Sequence, residues 1–332
     1  MAETIKKYLN DSFAARWAAL VLIALAMFFA YMFVDVMSPL QSLVESARGW
    51  DSSVFGTYAA SEYILNVCGF LILAGIILDK MGVRFTGILS TSLMVIGAGI
   101  KYIGITEWFQ ATEFCSWLGS WWTALPGSAK MSCLGFMIFG CGVEMAGITV
   151  SRGIVKWFKG RETAMAMGSE MALARLGVAT CMIFSPYFAK LGGYVDVSRS
   201  VAFGVVLLCI ALMMFIVYFF MDRKLDAQTG EAEEKDDPFK ISDLGKIFSS
   251  MGFWLVALLC VLYYSAIFPF QKYAVNMLQC NLTFVESNEL WSSEKVIFIQ
   301  YLVMLVVALG AFMSNFSKKT ILKVSLMVMA IV

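Results

Sequence analysis

Apolar residues fall in long unbroken blocks along this chain, and polar residues gather in short stretches between them. Several blocks exceed the ~18–20 residues a helix needs to cross a hydrocarbon core about 30 Å thick. Backbone groups in lipid must pair within their own segment, so blocks of this length predict helices. The short alternating strands of a membrane barrel are not visible. The pattern predicts spans over about 17–40, 54–78, 85–105, 131–151, 162–188 and 200–221. It continues with spans over about 250–277 and 295–314, and a last apolar run from Thr320 to Val332. A stretch rich in tryptophan, 106–130, lies between the third and fourth spans. It is expected to lie along the interface, because tryptophan prefers the headgroup level.

These blocks divide the chain into an amino-terminal six-helix bundle over 1–221, a linker over 222–249 and a partial carboxy-terminal bundle over 250–332. The linker carries the acidic cluster Glu231, Glu233, Glu234, Asp236 and Asp237, and its composition reads as flexible. The expected fold class is therefore all-α, a polytopic membrane protein of two halves with the second incomplete. At 1.5 Å per residue the final run makes only ~20 Å of helix, too short to cross alone. The chain is expected to be a fragment or a natural truncation.

Composition sharpens the picture. The chain is 60% hydrophobic and 15% charged, with a net charge of +1, and its basic residues make no stripe that would attract nucleic acid. There is no histidine, and the eight cysteines are spaced for neither a zinc site nor a disulfide framework. No glycine-rich loop ends in Lys-Ser or Lys-Thr, and no nucleophile, base and orienter stand together. No cofactor, metal or enzymatic activity is expected. Lys and Arg crowd the loops on one side, among them Lys80, Arg84, Arg152, Lys156 and Arg161, which predicts a cytoplasmic amino terminus. Localisation follows as an integral multi-pass membrane protein, in the inner membrane if the source is bacterial.

Charges inside an apolar span are costly and face a cavity or a partner. Glu62, Glu144, Glu170 and Arg175 meet that description, as does Asp35 near a helix end. Glu144 lies about 12 Å in from Arg152, and Arg175 about 20 Å from Glu162. The two occupy sequential antiparallel spans, so they approach at similar depth. Arg175 would bind a carboxylate through its two-donor fork. Glu144 would take an ammonium group or a proton, and Glu170 is a second candidate for a coupling proton. The other reading of Glu144 and Arg175 is a structural ion pair joining two helices. The seventh span offers Tyr263, Tyr264, Gln271, Lys272 and Asn276; the two adjacent tyrosines point to different faces, so one is a candidate for lining the path and the other for packing in the wall. Proline in Phe268-Pro269-Phe270 is expected to bend or break that span.

Two stretches carry a resemblance. Gly75-x-x-x-Asp79-Lys80-x-Gly82-x-Arg84 resembles the signature loop between helices 2 and 3 of the major facilitator superfamily. Trp157-Phe158-Lys159-Gly160-Arg161-Glu162-Thr163 resembles that family's junction between helices 4 and 5. The resemblance implies two six-helix halves that rock about a central solute, giving alternating access. It also implies that Asp79 and Arg84 form a charge network holding the outward-open state, with Gly75 and Gly82 allowing close approach and a tight turn. The second-half copy of the loop, Gly310 to Lys319, is degraded. Arg16-Trp17, Asp35 before Ser38-Pro39-Leu40, and Ser169-Glu170 with Arg175 resemble the MFSD1-like group of dipeptide carriers. The expected function is secondary or facilitated transport of a small polar or zwitterionic solute across a lipid bilayer. An organic-anion or proton-coupled sugar carrier, and a transport-inactive scaffold or fragment, are the alternatives.

Overall fold

The computed structural model describes residues 8–229, 245 and 247–282. They form α1 (Phe13–Val34), α2 (Gln41–Arg48), α3 (Ser52–Leu65), α4 (Leu71–Ile105) and the short α5 (Glu107–Gln110) and α6 (Glu113–Ser120). The long α7 (Gly127–Trp157), α8 (Thr163–Lys190), α9 (Val197–Thr229) and α10 (Met251–Leu282) follow.

Five helical stretches among the described residues are long and apolar enough to cross a membrane. One of them, Ser52–Ile105, has 54 residues. At 1.5 Å per residue it would reach ~80 Å, far beyond one crossing. It folds back at Gly82, whose φ of 75° and ψ of 171° suit a residue without Cβ. Contacts along α7 trace the reversal. Trp50 donates to Ser128, Asn66 to the Gly140 carbonyl, and Arg152 to Asp79, so this arm runs parallel to α7. Beyond Gly82 the order inverts: Gly97 packs on Phe139, Lys101 on Gly135, and Gly104 on Ser132. A Cβ on Gly97 or Gly135 would strike the facing backbone. The five stretches thus make six passes, as the apolar blocks predict.

Helix ends differ from those expectations for local reasons. α1 stops at Val34, where Asp35 turns the chain and Ser38 donates to its carboxylate at 3.1 Å. Pro39 lacks a donor and opens a short 3-10 turn before α2. α3 starts where Asp51 accepts from the Val54 N–H at 2.8 Å. α7 runs on through Arg152 to Trp157, and α9 runs past 221 to Thr229, so part of each expected loop is helix. The proline at 269 lies inside α10 rather than ending it.

The core of the first bundle is aromatic, with Phe33, Phe136, Phe139, Trp50 and Tyr58 all buried. Trp108, Trp117, Trp121 and Trp122 are exposed on and around α5 and α6. The acidic cluster Glu231 to Asp237, the expected span 295–314, the loop Gly310 to Lys319 and the run from Thr320 lie outside the described residues.

Candidate functional site

α1, α3, α7, α8 and α10 converge on a cavity of about 40 Å³. Its polar lining is Tyr31, Asp35, Glu62, Tyr63, Glu144, Arg175 and Lys272. That volume holds a few waters and is far below the ~300 Å³ of an ordinary ligand pocket.

One side of the cavity is an ion cluster. Lys272 Nζ of α10 lies 3.0 Å from Glu62 Oε2 of α3 and 3.4 Å from Asp35 Oδ1 at the end of α1. All three side chains are buried. Two carboxylates around one ammonium satisfy the demand that a buried charge be paired. An irregular turn over Asn66–Phe70, broken at Gly69 with φ 105°, follows Glu62 on the same arm. Asp35 and Glu62 thus enter the site together. Lys272 had entered only as one of several polar residues of the seventh span, without a partner or a role of its own.

The other side holds Arg175 and Glu144. Both line the cavity, yet among the described residues no carboxylate stands within 4.0 Å of Arg175. The Arg175 guanidinium instead lies 5.6 Å from the Tyr31 ring centre and 6.0 Å from that of Phe268. The structural ion pair between Glu144 and Arg175 is accordingly not formed. Glu170 is buried on α8, outside the cavity lining, within electrostatic reach of Arg175. Tyr263 and Tyr264 do not line the cavity: both are exposed, and Tyr264 stacks on Phe268 with ring centres 4.9 Å apart. Phe268 of the same helix lines the cavity.

A third intramembrane cation escaped the sequence pattern. Lys101 of α4 is fully buried, and among the described residues its Nζ has no hydrogen-bond partner. It sits 4.1 Å from the Phe136 ring centre, 4.3 Å from Phe33 and 5.3 Å from Tyr58. Each such contact is worth up to about 2 kcal/mol when desolvated. The usable signal was its place in an apolar block, three residues short of Gly104.

The charge network at the basic face differs from the one the resemblance implies. Asp79 pairs with Arg152 of α7 at 2.5 Å, and Arg84 pairs with Asp226 of α9 at 2.9 Å. Lys156 lies 2.8 Å from both Asp222 and Asp226, and the Trp157 indole donates to Asp222 at 3.0 Å. Asp79 and Arg84 therefore act in separate contacts. Asp222 and Asp226 were missed because their surroundings are polar enough to read as linker; their four-residue spacing puts them on one helical face. Gly82 makes the tight turn, but a Cβ on Gly75 would meet nothing within 4 Å. Lys80 is exposed. Nearby, the Tyr8 N–H and then Arg161 hold the Asp11 carboxyl below its ordinary range.

A family model of the Major Facilitator Superfamily matches residues 23–332. The chain belongs to that superfamily. Membership bears out the expected polytopic carrier fold and the expectation that the chain is not an enzyme. Among curated proteins it is similar to the lysosomal dipeptide transporter MFSD1 of Homo sapiens, 25% identical over 269 residues, or 77% of this chain and 52% of the relative. The same protein of Pongo abelii matches to the same extent. That of Bos taurus is 29% identical over 145 residues, covering 41% of this chain and 31% of the relative. The chain spans about half the length of the first two relatives.

Proposed function

We propose that this superfamily member is part of a carrier that moves a small zwitterion, a dipeptide in the first instance, by alternating access. The observation that carries the reading is that Glu144 and Arg175 line one cavity without pairing. Opposite charges held apart suit a solute with a free ammonium at one end and a carboxylate at the other. Arg175 offers a planar fork to the carboxylate. Glu144 accepts from the ammonium. Lys272 is occupied by Asp35 and Glu62, which leaves Arg175 as the cavity cation free for a ligand. The similarity to lysosomal dipeptide transporters supports the same solute class.

The test is uptake into proteoliposomes by the full-length gene product, using dipeptides, amino acids, sugars and organic acids with and without a proton gradient. Arg175→Ala is expected to cut dipeptide uptake by roughly 30-fold or more, the equivalent of about 2 kcal/mol. Glu144→Gln is expected to shift preference toward dipeptides with an acetylated amino terminus. Unchanged uptake in both variants, or a preference for sugars, would overturn the reading.

A further inference from the structure

Lys101 has no role in the solute pair, and its surroundings are odd for a permanent cation. It is fully buried and, among the described residues, has no hydrogen-bond acceptor, although two carboxylates lie within electrostatic reach. Both carboxylates, Asp35 and Glu62, are held by Lys272. The two ammonium groups share a ring. Lys101 Nζ is 4.1 Å and Lys272 Nζ 5.3 Å from the Phe136 centre, so the two are no more than 9.4 Å apart. A lysine stem of four carbons can swing its charge over several ångströms by rotamer changes alone.

The attachment of these residues differs. Asp35 follows α1, Glu62 lies on α3 and Lys101 on α4, all in the first bundle. Lys272 comes from α10, beyond the linker. Any movement of α10 away from α1 and α3 removes Lys272 and leaves the other three together. Two buried carboxylates would then face each other without a cation, which a low-dielectric interior penalises strongly.

We propose that Lys101 is a reserve cation: it rests in the box of Phe33, Tyr58 and Phe136 while Lys272 is docked, and takes over Asp35 and Glu62 when α10 withdraws. Lys101 is thus a positioning residue for the conformational step and makes no contact with the solute. The exchange keeps the carboxylates neutralised in both arrangements, which lowers the cost of opening. Its use in transport rests on the carrier reading above; the exchange itself is a property of the charge cluster.

A double-mutant cycle tests it in the full-length gene product, with Lys101→Met, Lys272→Met, the double variant and Lys101→Arg. Thermal stability is read in detergent and dipeptide transport in proteoliposomes. Lys272→Met is expected to fold, because Lys101 replaces the lost charge. The double variant is expected to lose more melting temperature than the two single losses combined. Lys101→Met is expected to fold, to keep its half-saturation concentration and to lose about tenfold in maximal rate. Lys101→Arg is expected to restore most of that rate. Additive stability losses would overturn the proposal. So would an unfolded Lys101→Met, because Lys272 should suffice in the docked state. A protein that moves no dipeptide while showing the non-additive stability loss would reject the solute assignment and leave the cation exchange standing.

Discussion

At the basic face, Asp222 and Asp226 of α9 gather Arg84, Lys156 and the Trp157 indole from α4 and α7. In the interior, Asp35 and Glu62 gather Lys272 from α10. Both clusters are two carboxylates around lysine or arginine at similar distances. The first joins α7 and α9, each of which packs along α4, and its cations are partly exposed: Arg84 to 30% and Lys156 to 20%. The second is buried and ties the first bundle to α10, which also meets it where Phe268 lies against Tyr63 and Tyr273 against Phe55. Equal chemistry thus has unequal consequences. Charges between helices that are already fixed fasten a bundle, whereas charges between the bundle and a separately attached helix hold a position that can be exchanged. Water access separates them further, since a partly solvated cation can turn to solvent, whereas buried Lys272 depends on Asp35 and Glu62.

Glu62→Ala should separate the clusters most. It leaves Lys272 and the nearby Lys101 with Asp35 alone, and removing one member of a buried pair costs about 3–5 kcal/mol. Denaturation of the purified protein should show that loss, and hydrogen exchange should quicken in α10 before α7. An unchanged melting temperature with α10 still protected would erase the distinction drawn above. Asp222→Ala should cost less, about 1–3 kcal/mol, because the indole loses its acceptor while Asp226 still serves Lys156 and Arg84. Here α10 should exchange at its original rate; faster exchange there would show that the two clusters are coupled. The smallest effect belongs to Asp79→Asn. Its pair with Arg152 is roughly a third exposed on each side, so it should contribute no more than about 1 kcal/mol and fade in high salt. A salt-independent loss of several degrees in melting temperature would mean that the pair is more enclosed than its exposure implies.

Much of the architecture was legible in the pattern of apolar blocks. The first six passes follow it, and Gly82 turns the chain where the signature-like loop placed a turn. The helix ends were less legible, because Arg152, Lys156, Asp222 and Asp226 read as loop while their mutual pairing keeps them helical. For the site, Glu144, Arg175, Asp35 and Glu62 stood out as charges in apolar surroundings, and the fold brings them to one cavity. Tyr263 and Tyr264 carried no such signal beyond their place on the seventh span, and they do not line the cavity. Lys101 and Lys272 sit near the ends of their apolar blocks, where a lysine ordinarily extends to the headgroups.

By itself the sequence determined where the chain crosses the membrane, because the hydration cost of a buried backbone is a local matter that about 20 consecutive residues settle among themselves. It also determined which charges had to find partners. Only the tertiary structure decided who those partners are. Lys272 meets Glu62 across 210 positions, and Arg152 meets Asp79 across 73. Such pairings depend on which helices lie side by side, and no local pattern in the chain encodes that neighbourhood.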